Sequence, residues 1–428
     1  MAKNKENNED SSLVVELSKE LGLKEALGIA VGALIGGGVF SVLGLVIYDS
    51  GPAAFIAFIL AGIVSSFTAY SYIHLALKYP RAGGAFIYAR EAFKSKWFSG
   101  GLGIVLWFGY SFSVSLYAMT FGFYLGEVIP GGENILVNLP MYQVPIDTVI
   151  YQVLSVCLFV GINLIGVKES SRTQNILVLV KVAILLLYVV VGIFAIKGSN
   201  FTNPGFLPNG VLPLISSSVL IFVSMEGFEI LSNSVQEMKN PQKDLPMGMF
   251  LSIIIVLFLY VSVAIVTVGV LGMQPESLGL GFPKLDEMSE VILTYSASIF
   301  FRNAGGWIMA IAAIISAASA INATLLGSSR LSYMLSFEGV IPKAIAKINT
   351  KTRVPARAIT ISGIISLIFI FLFNLKLVAT AASIIFMVIF GVVNASAVKL
   401  LEGKKKIPSA IGVVLIIIYW VIWITTFF

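Results

Sequence analysis

Three consecutive glycines, Gly36, Gly37 and Gly38, interrupt the apolar stretch GIAVGALIGGGVFSVLG at residues 28–44. Glycine is a poor helix former, so the backbone is free to leave the helix at this point. An interrupted helix exposes free C=O groups on one half and free N–H groups on the other. The N–H end attracts a carboxylate, and the C=O end attracts an ammonium or another cation. Ile35 and the three glycines are therefore predicted to bind a small zwitterion.

A second apolar stretch carries polar and flexible residues at its centre. Residues 212–238 read LPLISSSVLIFVSMEGFEILSNSVQEM, with Glu226, Gly227 and Glu229 where a membrane span is normally apolar. Two such interruptions in one chain favour a binding site shared between them. The candidate substrate-binding residues in this stretch are Phe222, Ser224, Met225, Glu226 and Gly227.

Close helix packing is the alternative explanation for the first glycines. Gly32 and Gly36 have the small-xxx-small spacing that lets two membrane helices approach each other. Packing explains a glycine-rich stretch that stands alone, but it gives no reason for the carboxylates of the second stretch. The pairing of the two interruptions therefore favours the binding interpretation.

The elements that carry these residues are predicted to be membrane-spanning helices. Of 428 residues, 57% are hydrophobic and only 12% are charged, whereas about a quarter of a soluble domain is charged. Apolar runs of roughly twenty residues, long enough to cross a bilayer, recur along the chain. Lipid offers the backbone no partner, so every span is predicted to be helical. The eleven predicted spans cover residues 27–47, 53–77, 98–126, 146–166, 174–196, 212–235, 246–272, 304–334, 356–373, 376–398 and 408–428.

Lysine and arginine are distributed unevenly between alternate connecting segments. With the N-terminus inside, the inside segments contain 23 of the 28 Lys and Arg residues, and the outside segments contain four. Inside loops of membrane proteins are enriched in these residues, so the N-terminus is predicted to be cytoplasmic and the C-terminus outside. Residues 1–26 are predicted to form a tail with a short amphipathic helix on the membrane surface. The net charge of +6 is assigned to topology, so membrane lipids are predicted partners and nucleic acid is not.

The two interruptions fall in the first and the sixth predicted span, which divides ten spans into five plus five. A unit of five spans crosses the membrane an odd number of times, so a second copy has the opposite orientation. Inverted repeats with broken helices at matching positions indicate a substrate site near the bilayer midplane. The predicted units are a first repeat at 27–196, a second repeat at 212–398 and one additional helix at 408–428.

Four motifs resemble those of the amino acid–polyamine–organocation (APC) family of secondary transporters. They are GALIGGGVF at 32–40, FVSMEGFE at 222–229, KNPQKDLPMGM at 239–249 and INATLLGSSRLSYMLSFEGVIPKAIAKINTKTRVPARA at 321–358. The resemblance covers essentially all of 20–400. It implies an all-α, LeuT-type fold of two inverted five-helix repeats with discontinuous helices 1 and 6, and transport by alternating access. Many members have twelve spans, one more than the eleven predicted here.

Lys181, in LVLVKVAILLL, is a charged residue inside the fifth predicted span. Snorkelling of its ammonium to the inner membrane surface is one explanation. The functional alternative is that the ammonium bridges the first and eighth spans, near Ser316 or Ser319, in place of a bound sodium ion. Proton loss would then loosen the contact, and some APC members with a lysine at the matching place are proton-coupled. The predicted proton-coupling residues are Lys181, Ser316, Ser319 and Glu229.

Two carboxylates and two aromatic residues complete the set of candidates. Glu229 matches the Gly-Phe-Glu ending common in the family and is expected to accept hydrogen bonds from free backbone N–H groups. Glu226 either lines the pocket, where it favours a cationic substrate, or turns away as a second proton site or a local cap. Phe222 is by resemblance a candidate gate over the substrate, and Tyr110 of the third span is a candidate wall of the pocket. Core or lipid packing is the alternative for both aromatic residues.

These features predict a secondary transporter that imports amino acids with protons across the cell membrane, as a monomer or weak oligomer. Exchange of amino acids or amines and sodium-coupled symport are the alternatives within transport, and a receptor or channel is the alternative from another class. One histidine and one cysteine in the chain provide no cluster for an intramembrane enzyme or a metal site. No nucleotide-binding motif indicates a primary pump, and no cofactor is predicted.

Overall fold

The computed structural model describes residues 21–81, 83–129, 131, 135–165, 171–278, 280, 283–345 and 354–427, without the side chains of 171–174, 303 and 427. These residues are predominantly helical. The predicted amphipathic surface helix falls mostly in residues 1–20, outside the described part. Leu21 forms a parallel bridge with Met238, and the first described helix begins at Leu23.

The first half of the described chain contains seven helices and one β-hairpin. The helices are α1 (Leu23–Leu34), α2 (Gly38–Ser50), α3 (Ala54–Lys78), α4 (Gly84–Phe93), α5 (Lys96–Val128), α6 (Ile146–Ile165) and α7 (Ser171–Gly192). The hairpin pairs β1 (Leu136–Asn138) antiparallel with β2 (Gln143–Pro145). It lies in a predicted outside loop, so the prediction of an all-α protein holds for the spans but not for this connection.

The second half of the described chain contains seven further helices. They are α8 (Val211–Leu220), α9 (Pro241–Leu271), α10 (Ile292–Phe301), α11 (Asn303–Phe337), α12 (Ala356–Leu372), α13 (Leu375–Leu400) and α14 (Lys406–Phe427). Short 3-10 helices occupy Gly51–Ala53, Ile193–Ala195, Gly198–Phe201, Ile221–Met225, Phe228–Glu237, Pro275–Leu278, Ser289–Val291 and Gly403–Lys405.

Nine helical stretches in the described residues are long and apolar enough to cross a membrane. The chain is therefore a multi-pass membrane protein, as the composition predicts. Two features account for the difference from the predicted count of eleven. Only the turn Gly51–Ala53 separates α2 from α3, so these two predicted spans form one continuous stretch, Gly38–Lys78. α12 is apolar but has only 17 residues, and it belongs to the shorter apolar helices.

Helix α5 lies at the centre of the bundle, packed along α11 and in contact with α6, α12 and α13. Its polar side chains bond to α12 inside the bundle. Trp107 Nε1 donates to Ser362 Oγ at 2.8 Å, Ser115 Oγ donates to Ser366 O at 2.9 Å, and Ser366 Oγ donates to Ser111 O at 2.9 Å. These bonds hold the two helices together where lipid offers no hydrogen-bond partner.

The C-terminal helix α14 is joined to the bundle by a buried polar cluster. Asn394 of α13 donates to Thr68 Oγ1 of α3 at 2.9 Å and accepts from Ser71 Oγ at 2.6 Å. The same Ser71 hydroxyl lies 2.8 Å from Ser409 Oγ of α14. All four residues are fully buried. The cluster therefore connects α3, α13 and α14 in one hydrogen-bonded set.

Replacement of Asn394 by alanine is expected to lower the free energy of unfolding by about 1–3 kcal/mol, because both of its hydrogen bonds are lost inside the bundle. The measurement is the thermal unfolding midpoint of the protein purified in detergent. Ser396→Ala is the matched control, since Ser396 is equally buried but donates only to Val392 O of its own helix. Equal shifts for the two variants would contradict a joining role for Asn394.

Two ion pairs join parts of the protein that are distant in the sequence. Arg90 of α4 pairs with Glu338, which follows α11, and both lie in segments predicted to be cytoplasmic. Lys376 at the start of α13 pairs with Asp49 at the end of α2, with 3.0 Å between Nζ and Oδ2, on the face predicted to be outside. Helix α4 lies between the predicted spans 53–77 and 98–126, and its apolar face is buried: Ala85, Phe86, Ile87, Tyr88, Ala89 and Ala92.

Candidate substrate site

The chain breaks between α1 and α2 at the predicted glycines. Helix α1 ends at Leu34, α2 begins at Gly38, and residues 35–37 bend between them. Tyr260 of α9 donates its hydroxyl to the carbonyl of Leu34 at 2.8 Å, so one of the freed C=O groups has a side-chain partner. The first N–H groups of α2 have no partner within their own helix. The break thus separates a carbonyl end from an N–H end, as the recognition of opposite charges requires.

The second break follows α8. The helix continues as the 3-10 helix Ile221–Met225, Glu226 is extended, and Gly227 has a φ of +121° before the next 3-10 helix starts. A positive φ favours glycine, because a side chain would be strained in this backbone conformation. The stretch predicted as one long span, 212–235, is therefore an α-helix followed by two 3-10 helices, which are separated by the extended Glu226 and by Gly227 with its positive φ.

The two breaks lie against each other. A Cβ atom added to Gly38 would be 2.7 Å from the Cα, Cβ and Oγ of Ser224. A Cβ atom added to Gly227 would be 2.7 Å from the backbone C of Ala33 and 2.8 Å from its Cβ. Each break thus brings a glycine against the other helix, and no larger residue fits without a backbone shift. The small residues predicted from the sequence are required by this mutual contact.

Helix α5 forms a wall beside the first break through Tyr117, a residue that the sequence reasoning missed. A Cβ on Gly37 would meet the Tyr117 ring at 2.7 Å, and a Cβ on Gly36 would meet it at 3.3 Å. Tyr117 lies seven residues after Tyr110, on the same face of α5. That spacing was the available signal, since Tyr110 alone was selected from the sequence.

Lys181 of α7 contacts the carbonyl end of the first break. Its Nζ donates to Ile35 O at 3.0 Å, to Ser319 Oγ of α11 at 3.0 Å and to Gly32 O at 3.4 Å. The residue is only 1% exposed, so it does not snorkel to the membrane surface. An ammonium at the C-terminal end of a half-helix is favourably placed to interact with its free carbonyl groups. Ser316 lies one turn before Ser319 on α11 and is fully buried.

The two carboxylates of the second break have different partners. Glu229 Oε2 accepts from the backbone N–H of Gly227 at 2.7 Å, so this carboxylate caps the break locally. Glu226 Oε2 accepts from Ser113 Oγ of α5 at 2.7 Å. Ser113 lies between Tyr110 and Tyr117 on the same helix face. Glu226 therefore does not cap its own backbone but faces the wall formed by α5.

Three buried polar atoms of the candidate site residues have no hydrogen-bond partner among the described residues. They are Ser224 Oγ, Glu229 Oε1 and Ser316 Oγ. Ser224 and Glu229 are 1% and 4% exposed, and Ser316 is fully buried. Buried polar atoms are normally paired, so the unpaired Ser224 and Glu229 oxygens of the second break indicate a place where a ligand or water supplies the missing bonds.

The two aromatic candidates pack against the C-terminal helices α13 and α14. Phe222 is fully buried, with its ring 5.6 Å from Tyr419 of α14 and 6.3 Å from Phe390 of α13. The ring of Tyr110 lies 5.9 Å from Phe386 of α13. The structure thus brings Phe222 to α13 and α14, and it brings Tyr110 to α13 and to the face of α5 that carries Ser113.

Two cavities open on the face predicted to be outside. One, of about 610 Å³, lies among the ends of α2, α8, α13 and α14 and contains the Asp49–Lys376 ion pair. The other, of about 530 Å³, is lined in part by carboxylates, including Glu290, whose pKa is raised by burial. Within the described residues, no group of three or more His, Cys, Asp and Glu side chains is arranged to hold a metal ion.

A bundle of membrane helices with two broken helices meeting at a polar site has the organisation of a membrane transport protein. The chain belongs to the amino acid permease family, whose sequence pattern matches residues 21–428. This confirms the predicted membership of the APC family. It also confirms that the protein is a transporter and not an enzyme.

Three relatives illustrate the range of the family. The chain is 32% identical over 423 residues to an uncharacterized protein of Methanocaldococcus jannaschii, with 96% of this chain and 91% of the relative covered. It is 26% identical to the methylthioribose transporter of Bacillus subtilis, with 93% and 84% covered. It is 27% identical to the vacuolar cationic amino acid transporter 2 of Arabidopsis thaliana, with 92% of this chain but only 62% of the plant protein covered.

Proposed function

We propose that the protein imports amino acids together with protons, by alternating access of a central site to the two sides of the membrane. The observation that carries the proposal is the meeting of two broken helices, with the Lys181 ammonium on the carbonyl end of the first break. The amino acid substrate follows from the family, whose description is that of amino acid permeases. The relatives' names include a cationic amino acid transporter and a methylthioribose transporter, so family membership alone does not name the substrate.

The proposed architecture is a LeuT-type inverted repeat of five plus five spans with one additional C-terminal helix. The first repeat comprises residues 27–196, the second comprises 212–398, and the helix at 408–428 follows them. The breaks after α1 and after α8 support this division, because they occupy equivalent places in the two halves. Eleven crossings are reached in place of nine if α2 and α3 cross the membrane separately and the 17-residue α12 also crosses it.

The proposed orientation places the N-terminus in the cytoplasm and the C-terminus outside the cell membrane. The excess of Lys and Arg in alternate segments supports it. In this orientation the cavity beside Asp49 and Lys376 opens to the outside, and the Arg90–Glu338 pair lies inside. The working unit is proposed to be a monomer or a weak oligomer.

The substrate is proposed to bind between the two breaks through backbone groups. The free N–H groups at the start of α2, from Gly36 to Gly38, suit the carboxylate, and the carbonyl groups of the 3-10 helix Ile221–Met225 suit the ammonium. Ile35, Tyr110, Phe222 and Gly227 complete the proposed substrate-binding set. The orphaned Ser224 hydroxyl supports this location.

Proton coupling is proposed to act through Lys181. The charged ammonium holds Ile35, Gly32 and Ser319 together, and so fixes the first break to α11. Loss of the proton removes the charge that attracts these oxygens and frees α1 to move away from α11. Ser316 and Glu229, each with an orphaned oxygen, are the proposed accessory groups.

The test is uptake of radiolabelled amino acids by the purified protein in liposomes. Twenty amino acids and several amines are screened with and without an inward proton gradient, and with sodium varied. We expect accumulation above equilibrium only with the proton gradient. Counterflow that is insensitive to the gradient would instead indicate exchange, and sodium dependence would indicate sodium symport. Unsaturable flux at channel rates would contradict the transporter mechanism altogether.

A further inference from the structure

We infer that Glu226 is the specificity residue of the substrate site and that it binds a second, cationic amino or guanidino group on the substrate. The inference rests on the proposed function and extends it to the class of amino acid carried. It depends on the direction of the Glu226 side chain, on the absence of an ion pair to it among the described residues, and on the groups around it.

The direction of Glu226 separates it from its neighbour in the same break. Glu229 turns back to the N–H of Gly227, which makes it the local cap of the break. Glu226, three residues earlier, reaches across to Ser113 of α5. Glu226 is therefore free of the capping role and projects its carboxylate between the second break and α5.

Among the described residues, the carboxylate of Glu226 forms no ion pair with a lysine or arginine. The ion pairs formed by the described residues are Arg90–Glu338, Lys94–Glu91 and Lys376–Asp49, and none of them involves Glu226 or Glu229. The Lys181 ammonium donates to the carbonyls of Ile35 and Gly32 and to the Ser319 hydroxyl. A carboxylate that is 3% exposed in a membrane protein is costly unless a positive group joins it.

The surroundings of Glu226 suit an alkyl chain that ends in a cation. Tyr110 and Tyr117 flank Ser113 on the same face of α5, and Ser113 donates to the Glu226 carboxylate. Aromatic rings accommodate a methylene chain and also attract a cation at its end. The Tyr117 ring touches the glycines of the first break, so the chain would run from the backbone site along α5 to the carboxylate.

The α-ammonium of the substrate is a different group with different partners. It is matched by the backbone carbonyls of the second break, as in any zwitterion, whatever the side chain. Glu226 is an additional anion beyond the backbone site, so it distinguishes between substrates that share the zwitterion. Substrates of equal length with and without a terminal charge therefore separate the two roles.

The test compares matched substrates in liposomes: lysine with norleucine, and arginine with citrulline. We expect the native protein to prefer the charged member of each pair. Glu226→Gln, which keeps the shape and removes the charge, is expected to lower the lysine-to-norleucine ratio of uptake efficiency by at least about thirtyfold, because a buried charge pair loses one partner. Glu402→Gln is the matched control, since Glu402 is exposed, and it is expected to leave the ratio unchanged.

A second variant keeps the test decisive if Glu226→Gln does not fold. Glu226→Asp retains the charge on a chain one methylene shorter, and it is expected to keep the preference for charged substrates while moving it from lysine toward the longer arginine. Size-exclusion elution and thermal unfolding of each variant establish that it is folded.

Four outcomes overturn the inference. They are no preference of the native protein for lysine over norleucine, an equal loss of both substrates in Glu226→Gln, loss of proton-driven accumulation with the ratio unchanged, and loss of the preference in Glu226→Asp. The second would assign Glu226 to the α-ammonium, and the third would assign it to proton coupling. Uptake of no amino acid by the native protein would instead contradict the proposed function, so the two failures are distinguishable.

Discussion

Lys181→Ala is expected to abolish proton-driven accumulation of amino acid in liposomes, with initial uptake reduced at least about tenfold, because three hydrogen bonds from one ammonium are lost together. Without the ammonium, nothing charged joins Ile35 to Ser319 in the part of the chain that the structure describes. The measurement is uptake of labelled substrate under an imposed inward pH gradient, compared with counterflow in its absence.

The counterflow measurement distinguishes a loss of proton coupling from a loss of substrate binding. A variant that binds and exchanges substrate but no longer responds to the gradient has lost coupling alone. Lys197→Ala is the matched control, because Lys197 is an exposed lysine after the same helix, and it is expected to behave as the native protein. Undiminished gradient-driven uptake by Lys181→Ala would remove Lys181 from the coupling role.

Gly227→Ala is expected to be the most damaging change in the second break. The new Cβ meets the backbone of Ala33 at 2.7 Å, and the φ of +121° strains any residue other than glycine. Backbone strain of this kind costs about 1–3 kcal/mol, and the contact with the first break adds to it. We expect a lower thermal unfolding midpoint and a loss of uptake of more than about tenfold, since the two breaks are forced apart.

Gly403→Ala is the control for this substitution. Gly403 also has a positive φ, of +56°, but a Cβ there has nothing within 4 Å. It shares the strained backbone conformation without the contact between breaks, so it is expected to reduce stability slightly and leave uptake intact. If the two variants lost the same uptake, the direct contact between the breaks would not be what the transport site requires.

The local features of the protein are predictable from the sequence because they depend on short stretches of chain. Apolar runs define helices that cross the membrane, and three glycines in one of them weaken it at a definite point. The first break lies between Leu34 and Gly38, where the glycines predict it. The second break was predicted from its polar residues, but its two 3-10 helices and the backbone conformations of Glu226 and Gly227 were not, since single polar residues do not specify a backbone conformation.

The partners of the site residues were decided by packing between distant segments. Tyr117 and Ser113 meet the two breaks because α5 runs along both. Their spacing from Tyr110 indicates a shared helix face, but it does not show what that face contacts. Phe222 matches a candidate gate by resemblance, yet its ring lies against Tyr419 and Phe390. The rotation of each helix about its own axis depends on all its neighbours, which a single stretch of sequence does not contain.

The two carboxylates show most clearly which features the sequence determined and which the tertiary structure decided. The sequence alone established that Glu226 and Glu229 lie in an apolar stretch and that such groups have a function, because their burial in lipid is costly. The resemblance led us to expect that Glu229 accepts hydrogen bonds from free backbone N–H groups, and Glu229 accepts from Gly227. The direction of Glu226 was left open. Only the tertiary structure decided that it reaches Ser113 on another helix, because that depends on where α5 passes the break.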